Sequence, residues 1–476
     1  MSWLNIIFII YQVIAIIAVI HVIMDNRQPA KTMAWALVIW FVPVVGIVFY
    51  LFFGVNTRKE RHVSERSMNQ LTKRSMLEFA EQQNLHLPEK HKPLIDLFIN
   101  QNLSLPFKDN KIEIYSDGYQ FFPALLAAIR EAKSHIHVDM YIFAEDALGQ
   151  LVADALIAKA KEGVEVRLIY DDVGCWNVSH QFFERMREEG IEVASFLPVR
   201  FPSFTSKVNY RNHRKIIVID GTTGFIGGMN IALRYVKGTG TMPWRDTMLK
   251  VTGGAVYALQ RAFLVDWYFV DRTLITDRAY YPPTPNTHHP SPNNCLAQLV
   301  TSGPTTPYPE IMQGYVRAIT AARRYIYIET PYFLPNEPVL FALKTAIVAG
   351  VDVCLLCPRH SDARFTEWAS RSYLRELHEA GARIHLYTAG FLHSKLMVID
   401  DALSTCGSTN VDFRSFENNF ESNIFIYDEG TALRLKKVFL DDLSHSTALA
   451  DVPSWVRPKF LQRLWESLTR LLSPLL

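Results

Sequence analysis

Charge is almost absent from the first 54 residues of this 476-residue chain. They hold only three of its charged side chains, Asp25, Arg27 and Lys31. The rest of the chain carries charge at about 22% of its positions, close to the value for an ordinary soluble domain. The distribution therefore predicts an amino-terminal part in an apolar medium and a larger part in water.

Cysteine and net charge are also scarce. The five cysteines are scattered and odd in number, which argues against a disulfide framework and favours a reducing compartment. Cys354 and Cys357 lie in a predicted buried strand with no second pair to complete a zinc site, so we interpret them as core residues. A net charge of only +2 gives no reason to expect a nucleic-acid partner.

Two uncharged stretches fill most of the amino-terminal part. Residues 4–24 and 33–53 each contain 21 residues without Asp, Glu, Lys or Arg. A helix rises about 1.5 Å per residue, so either stretch can cross a hydrocarbon layer of roughly 30 Å. A signal peptide would begin with positive charge, which the first three side chains lack. We predict a two-helix transmembrane hairpin over 1–54, with its second helix kinked at Pro43 and Gly46.

Lys and Arg are distributed unevenly around these two stretches. The intervening loop 25–32 has two of them, whereas the segment 55–74 has six. Positively charged flanks stay in the cytoplasm, so the loop is expected outside the cell and the remainder of the chain inside. The cations of 55–74 would then lie against anionic lipid headgroups.

Beyond residue 111 the sequence repeats itself once. Residues 128–139 and 318–329 both resemble an amphipathic helix that leads into a strand, and each is followed by a Gly-terminated helix and a second strand. This alternation predicts an α/β fold with two halves, each with a mostly parallel sheet, packed about a pseudo-twofold axis. The predicted segments are the hairpin (1–54, with helices at about 4–24 and 33–53), a basic connecting segment (55–111), half 1 (112–275), a Pro-rich linker (276–297), half 2 (298–447) and a carboxyl-terminal amphipathic helix (448–476).

The carboxyl-terminal helix permits two interpretations. Leucines recur at helical spacing from Leu461 onward, accompanied by Trp465 and several cations. This pattern is typical of a terminal helix docked on a folded core, and equally of a helix that lies in a membrane interface.

Each half contains the same short motif. The first copy has His213, Lys215 and Asp220 in the spacing HxKxxxxD, and the second has His393, Lys395 and Asp400. Each is followed, at the same offset, by a Gly-Gly/Ser-x-Asn sequence that ends at Asn230 or Asn410 and differs between the halves at Gly228 and Ser408. Two such matches make coincidence very improbable.

The motif suits the chemistry of a phosphodiester. His and Lys two residues apart on a strand share one face, so a twofold packing would bring two imidazoles and two ammonium groups into one pocket. The lysines would neutralise the nonbridging oxygens, while Asn230, Asn410 and Ser408 would contact the substrate. One histidine can attack phosphorus and the other can transfer the proton of the alcohol.

Four carboxylates have predicted roles around these histidines. Asp246 and Glu421 are candidates to orient the imidazoles. Asp220 and Asp400 belong to the motif and are therefore candidate catalytic residues, but along an ideal strand they face away from the histidines. We expect a structural or supporting role for these two.

The duplicated motif resembles that of the phospholipase D superfamily over about 112–440. The stretch 34–46, Tyr50, Gly54 and the end of the chain from Ser473 resemble bacterial cardiolipin synthases. The resemblance implies a phosphatidyltransferase that joins two phosphatidylglycerols into cardiolipin and releases glycerol. It also implies a phosphohistidine on His213, His393 as acid and base, and no metal or other cofactor.

The same resemblance implies partners and a location. The partners would be phosphatidylglycerol and other anionic lipids, with no nucleic acid. The location would be the bacterial inner (plasma) membrane, with the chain as a multi-pass protein and its catalytic part in the cytoplasm.

Two other classes of function remain open. One is a hydrolase, either a membrane-bound phospholipase D or a tethered nuclease, although a nuclease would need a basic stripe. The other is an inactive scaffold, which two intact motifs argue against.

Overall fold

The computed structural model describes residues 3–24, 29–42, 44–50, 54, 85, 87–199, 209–240, 242–282 and 295–474. Pro43, the basic segment 55–74 and the stretch 283–294 of the predicted linker lie outside these ranges. The helices within them are α1 Trp3–Met24, α2 Pro29–Phe41, α3 Val45–Phe49, α4 Lys92–Asn102, α5 Gly118–Glu131, α6 Ala147–Lys161, α7 His180–Glu188, α8 Arg234–Lys237, α9 Ala255–Asp271, α10 Glu310–Ala321, α11 Glu337–Val348, α12 Arg364–Glu379, α13 Phe413–Glu417, α14 Glu429–Ser444, α15 Pro453–Val456 and α16 Phe460–Leu471.

Helices α1 and α2 pack against each other at the amino-terminal end. The Tyr11 hydroxyl on α1 donates a 2.8 Å hydrogen bond to the Ile39 carbonyl on α2. The second uncharged stretch is not the single helix predicted over 33–53. It contains α2, which begins earlier because proline suits a first helical position, and the short helix α3. Within the described residues, no helix is both long and apolar enough to span a membrane.

The strands follow the repeat of the sequence. They are β1 Pro106–Tyr115, β2 His135–Met140, β3 Glu165–Asp171, β4 Glu192–Phe196, β5 Lys215–Ile219, β6 Thr223–Gly227, β7 Trp244–Arg245, β8 Met248–Thr252, β9 Cys295–Ser302, β10 Tyr325–Glu329, β11 Phe333–Leu334, β12 Asp352–Pro358, β13 Arg383–Tyr387, β14 Phe391–Leu392, β15 Leu396–Ile399, β16 Leu403–Gly407, β17 Val411–Asp412, β18 Glu421–Tyr427 and β19 Ser446–Ala448. Fifteen of them form one sheet in the order β19-β13-β12-β10-β15-β16-β18-β9-β1-β8-β6-β5-β2-β3-β4.

This order shows the twofold relationship of the halves. From the antiparallel β1–β9 junction, half 1 runs outward as β1-β8-β6-β5-β2-β3-β4 and half 2 runs as β9-β18-β16-β15-β10-β12-β13. Each strand of half 1 therefore has a counterpart at the same place in half 2. The motif lysines occupy equivalent places, Lys215 at the start of β5 and Lys395 directly before β15.

The prediction of mostly parallel sheets is wrong. Within the fifteen-stranded sheet, parallel pairing is confined to the outer strands β2, β3 and β4 and to their counterparts β10, β12 and β13. The strands from the junction to the motif are antiparallel, and a short turn joins each motif strand to its neighbour, β5 to β6 and β15 to β16. The fold is an α/β architecture on a large mixed sheet.

The apolar core joins the two halves. One cluster fills half 1 and another fills half 2, while a third contains residues of both, including Val256 on α9 and Leu435 on α14. All five cysteines are free and buried, which for Cys354 and Cys357 agrees with the interpretation as core residues. Cys354 lies in the shared cluster and Cys357 in that of half 2, as opposite faces of one strand require.

Helix α16 docks on α12 through its polar residues. Glu466 is fully buried and accepts a 2.8 Å hydrogen bond from Arg375, and Arg470 lies 2.6 Å from Glu376. Its leucines point outward, with Leu461 76% and Leu471 75% exposed. The docking agrees with the first interpretation of the carboxyl-terminal sequence, and the exposed leucines leave the second as a prediction.

Candidate functional site

Short backbone pairings between the halves build the site. Strand β7 of half 1 pairs in parallel with β14 of half 2, and the His393 amide donates to the Arg245 carbonyl at 2.7 Å. On the other side, the His213 amide donates to the Phe420 carbonyl at 2.9 Å. Each motif histidine is therefore fixed by the segment of the other half that precedes a candidate orienting carboxylate.

The histidines and carboxylates consequently pair across the halves. Nδ1 of His213 lies 2.9 and 3.1 Å from the two carboxylate oxygens of Glu421. Nδ1 of His393 lies 2.7 Å from Oδ2 of Asp246. Since Nδ1 is used in this way on both rings, Nε2 is the nitrogen left to react. Both rings line a common cavity of about 360 Å³ between the halves.

Burial and the neighbouring charges determine the protonation states of the two histidines and the two carboxylates. Burial lowers the pKa of His213 to about 4 and that of His393 to about 3, against the opposing effect of their carboxylates. Burial would raise the pKa of Glu421 and of Asp246, but the neighbouring histidines and lysines hold both pKa values below their usual range. These shifts favour the neutral form of both imidazoles and the ionised form of both carboxylates.

The motif lysines lie beneath the histidines and do not line the cavity. Nζ of Lys215 donates to the His213 carbonyl at 2.6 Å, and Nζ of Lys395 lies 2.8 Å from Nδ1 of His393. Both side chains are almost completely buried, at 0% and 1% exposure. Burial lowers the pKa of Lys215 to about 7 and also lowers that of Lys395. An anion bound above them would favour their charged forms and raise the histidine pKa values.

The predicted substrate-contacting residues have different surroundings. Asn230 and Asn410 line the cavity; the Asn230 amide donates to the Tyr235 hydroxyl at 2.8 Å, and Oδ1 of Asn410 has no hydrogen-bond partner in the described part of the chain. Ser408 lies behind the cavity, where its hydroxyl donates to Glu421 and accepts from the Ser422 amide at 3.0 Å.

The Gly/Ser difference between the halves follows from this arrangement. A Cβ placed on Gly228 would come within 2.0 Å of the Asp246 carboxylate. Half 1 therefore has no room for the serine that half 2 uses to support Glu421. The two orienting carboxylates are held by different neighbours, so the two histidines are not equivalent.

The last members of the motif lie outside the site. Asp220 accepts backbone hydrogen bonds from residues 133–135, at 2.9, 2.7 and 3.0 Å. Asp400 does the same for residues 323–325, at 2.9, 2.8 and 3.0 Å. Both have a positive φ, 53° and 56°, at the turn that ends the motif strand. Each carboxylate holds the start of the neighbouring antiparallel strand, β2 or β10, and these contacts agree with the expected structural role.

Several cavity residues were not predicted from the sequence. Aromatic rings lie against both histidines, with the Tyr141 ring centroid 4.9 Å from that of His213 and the Trp244 centroid 5.3 Å from that of His393. Three arginines also line the cavity, Arg211, Arg234 and Arg414. A signal for two of them was present, because Arg234 and Arg414 follow Asn230 and Asn410 at the same offset of four residues.

Comparison with known structures defines the class of the fold. A phosphatidylserine synthase from Haemophilus influenzae superposes with a TM-score of 0.61 at 16% identity, and the match covers 82% of this chain and all of that one. The family model described as "Cardiolipin synthase, PLD-like domain" matches residues 125–242 and 315–443, and that described as "Phospholipase_D-nuclease N-terminal" matches 13–54. The molecule is thus a two-domain protein of the phospholipase D type.

Curated relatives identify the family within that class. A cardiolipin synthase of Alkalihalophilus pseudofirmus is 38% identical over 100% of this chain and 95% of the relative. The major cardiolipin synthase of Bacillus subtilis is 37% identical over 97% of both chains. The chain belongs to the cardiolipin synthase family of phosphatidyltransferases. This family acts on phosphatidylglycerol lipids and is associated with bacterial membranes.

Proposed function

We propose that the chain transfers the phosphatidyl group of one phosphatidylglycerol to a glycerol hydroxyl of a second, giving cardiolipin and glycerol. The observation that carries this proposal is the pair of histidines in one cavity, His213 and His393, each with Nε2 free and each held at Nδ1 by a carboxylate of the opposite half. Two such groups can serve two successive displacements at one phosphorus atom.

In the first displacement, Nε2 of His213 attacks phosphorus and the bond to the glycerol headgroup breaks. His393 gives a proton to the departing glycerol oxygen. His213 is suited to attack because burial keeps it neutral, and the ionised Glu421 stabilises the positive charge that the ring acquires. The negative substrate raises the pKa of His393, so that this ring can carry the proton it donates.

In the second displacement, a hydroxyl of another lipid attacks the phosphohistidine from the side of His393. His393 takes the hydroxyl proton, the new P–O bond forms and the P–N bond returns its electron pair to His213. Asp246 holds the His393 ring throughout, at 2.7 Å. Asn230 and Asn410 are placed to hydrogen-bond the nonbridging oxygens, and the buried charges of Lys215 and Lys395 favour the developing negative charge.

Transfer requires that a lipid hydroxyl be favoured over water. Water is present at about 55 M, but a positioned reactant can reach an effective molarity of about 10⁵ M or more. A site held against a bilayer meets phosphatidylglycerol at high local concentration while the lipid itself excludes water. The phosphohistidine is then consumed by transfer faster than by hydrolysis.

Purified protein in mixed micelles or bilayers of labelled phosphatidylglycerol is expected to give cardiolipin and free glycerol as its main products. Adding excess glycerol should reverse the reaction, because one phosphodiester replaces another. Thin-layer separation of the labelled lipids measures both effects, with the His213→Ala protein as the blank. Phosphatidic acid as the dominant product would instead show a phospholipase D and remove the transferase proposal.

Two surfaces support attachment to a membrane. Helices α1 and α2 expose large apolar side chains, among them Ile17 at 61% and Trp40 at 50%. Helix α16 turns its polar residues inward and its leucines outward, the reverse of a helix that covers a soluble core. The amino-terminal hairpin would insert in the inner membrane as a multi-pass anchor, while α16 and the basic segment 55–74 would hold the catalytic part against the cytoplasmic face.

This placement predicts the result of a protease-accessibility experiment. Because six Lys/Arg follow the second uncharged stretch, both motifs should face the cytoplasm. Protease added to sealed, right-side-out spheroplasts should leave a carboxyl-terminal tag and both motif regions intact, and lysed spheroplasts should lose them. Cleavage near His213 or His393 in the sealed spheroplasts would overturn the proposed topology.

A further inference from the structure

We propose that Arg234 binds the phosphate of the acceptor lipid that does not react. The inference rests on the proposed function, since it concerns the second phosphatidylglycerol. That lipid brings its own phosphodiester, separated by three carbon atoms from the hydroxyl that attacks. The site therefore needs a second place for negative charge, apart from the motif histidines and lysines.

The surroundings of Arg234 fit such a place. It begins α8 and lines the cavity, half-buried, with its guanidinium 5.0 Å from the ring centroid of Trp244 and 5.9 Å from that of Tyr235. Its Nε is buried without a hydrogen-bond partner, and no carboxylate of the described residues lies within ion-pair distance of it. A half-buried cation without an anion is unfavourable until one binds.

Other arginines near the histidines already have partners. Arg211 lies 3.5 Å from the Asp171 carboxylate, Arg214 is paired with Asp266, and Arg245 lies 2.6 Å from Asp442. These three ion pairs connect strands and helices of the scaffold. Arg234 is instead available for a ligand, and a planar guanidinium suits a phosphate by donating two parallel hydrogen bonds.

The position of Arg234 selects the acceptor rather than the donor. The Trp244 ring that it covers lies 5.3 Å from the ring of His393, and Tyr235 lies 6.1 Å from it. His393 is the group that receives the proton of the attacking hydroxyl. A lipid whose hydroxyl contacts His393 would thus place its own phosphate on the flank where Arg234 lies.

Comparing phosphatidylglycerol with free glycerol as the acceptor isolates the contribution of Arg234 to binding the acceptor phosphate. Both reactions use phosphatidylglycerol as donor in dodecyl maltoside micelles; one measures cardiolipin formation and the other measures exchange of the headgroup with labelled glycerol, which has no phosphate. Arg234→Gln should lower cardiolipin formation about 10- to 100-fold more than exchange, the scale of one charge-assisted hydrogen bond. Arg234→Lys should recover part of the difference.

Two further variants serve as controls. Lys237→Gln removes the same charge from an exposed position of the same helix and should leave the ratio of the two reactions unchanged. Arg414, the counterpart of Arg234, lines the cavity and interacts electrostatically with Tyr141, whose ring lies against His213, so Arg414→Gln should change both reactions in parallel.

The outcomes separate this inference from the function on which it rests. Equal loss of both reactions in Arg234→Gln would show a merely structural contact with Trp244 and overturn the inference while cardiolipin synthesis stands. A selective loss in Arg414→Gln instead would place the acceptor beside His213 and overturn it as well. Wild-type protein that forms only phosphatidic acid would remove the proposed function itself.

Discussion

His213→Ala and His393→Ala are each expected to abolish cardiolipin formation. The loss should exceed about 10⁴-fold, the upper end of what a single general acid or base contributes, because both rings act on one phosphoryl group in both displacements. The assay is the rate of cardiolipin release from labelled phosphatidylglycerol. Thermal unfolding of each variant shows whether the fold is retained. A variant that keeps more than about a tenth of wild-type activity would contradict the shared-site mechanism.

The two variants should differ when the leaving group is a good one. A nitrophenyl phosphodiester needs no proton from His393 when its nitrophenolate departs. His393→Ala should therefore release a stoichiometric burst of nitrophenolate and retain a labelled phosphohistidine, whereas His213→Ala should show neither. The opposite pattern would make His393 the nucleophile and exchange the roles assigned to the two rings.

Glu421→Gln and Asp246→Asn should each lower turnover by about 10³- to 10⁴-fold, comparable to replacing the carboxylate of a Ser-His-Asp triad by its amide. An amide keeps the shape but removes the charge that stabilises the imidazolium, and it can turn the ring to the wrong tautomer. Burial is decisive here, since Glu421 and Asp246 are 0% and 1% exposed and water cannot replace the lost charge.

A control for these two variants is Asp172→Asn. This carboxylate is only partly buried and accepts a 2.8 Å hydrogen bond from the Val199 amide, outside the cavity lining. The Asp172→Asn substitution should leave turnover within about threefold of wild type, as expected for a group that does not touch the reacting centre. A comparable loss in Asp172→Asn and Glu421→Gln would mean that the orienting carboxylates act only through the fold.

The sequence predicted that the two motif histidines share a pocket, as the structure shows, but it did not predict how they pair with the carboxylates. The spacing of His213 and Lys215, repeated at His393 and Lys395, by itself indicates that each His and Lys share one strand face and suit a phosphodiester. Which carboxylate meets which histidine depends on β7 and β14, each only two residues long and held by pairing across the halves. Strands of that length have no periodic signal, so the crossing of the pairs could not be read from the sequence.

The direction of the strands was wrongly predicted although a signal existed. Asp220 and Gly221 both have a positive φ, 53° and 63°, and Asp-Gly is a typical hairpin turn between antiparallel strands. In half 2 the same turn is made by Asp400 and Asp401. The regular alternation of helix and strand outside the motif favoured a parallel sheet and obscured this local evidence.

The crossed pairing of histidines and carboxylates has a consequence for biosynthesis. The ribosome completes half 1 before half 2. At that stage His213 has no Glu421, and Asp246 has no histidine to serve. A chain that ends before residue 421 lacks the carboxylate that holds His213, so we expect such a truncated chain to be inactive toward lipids.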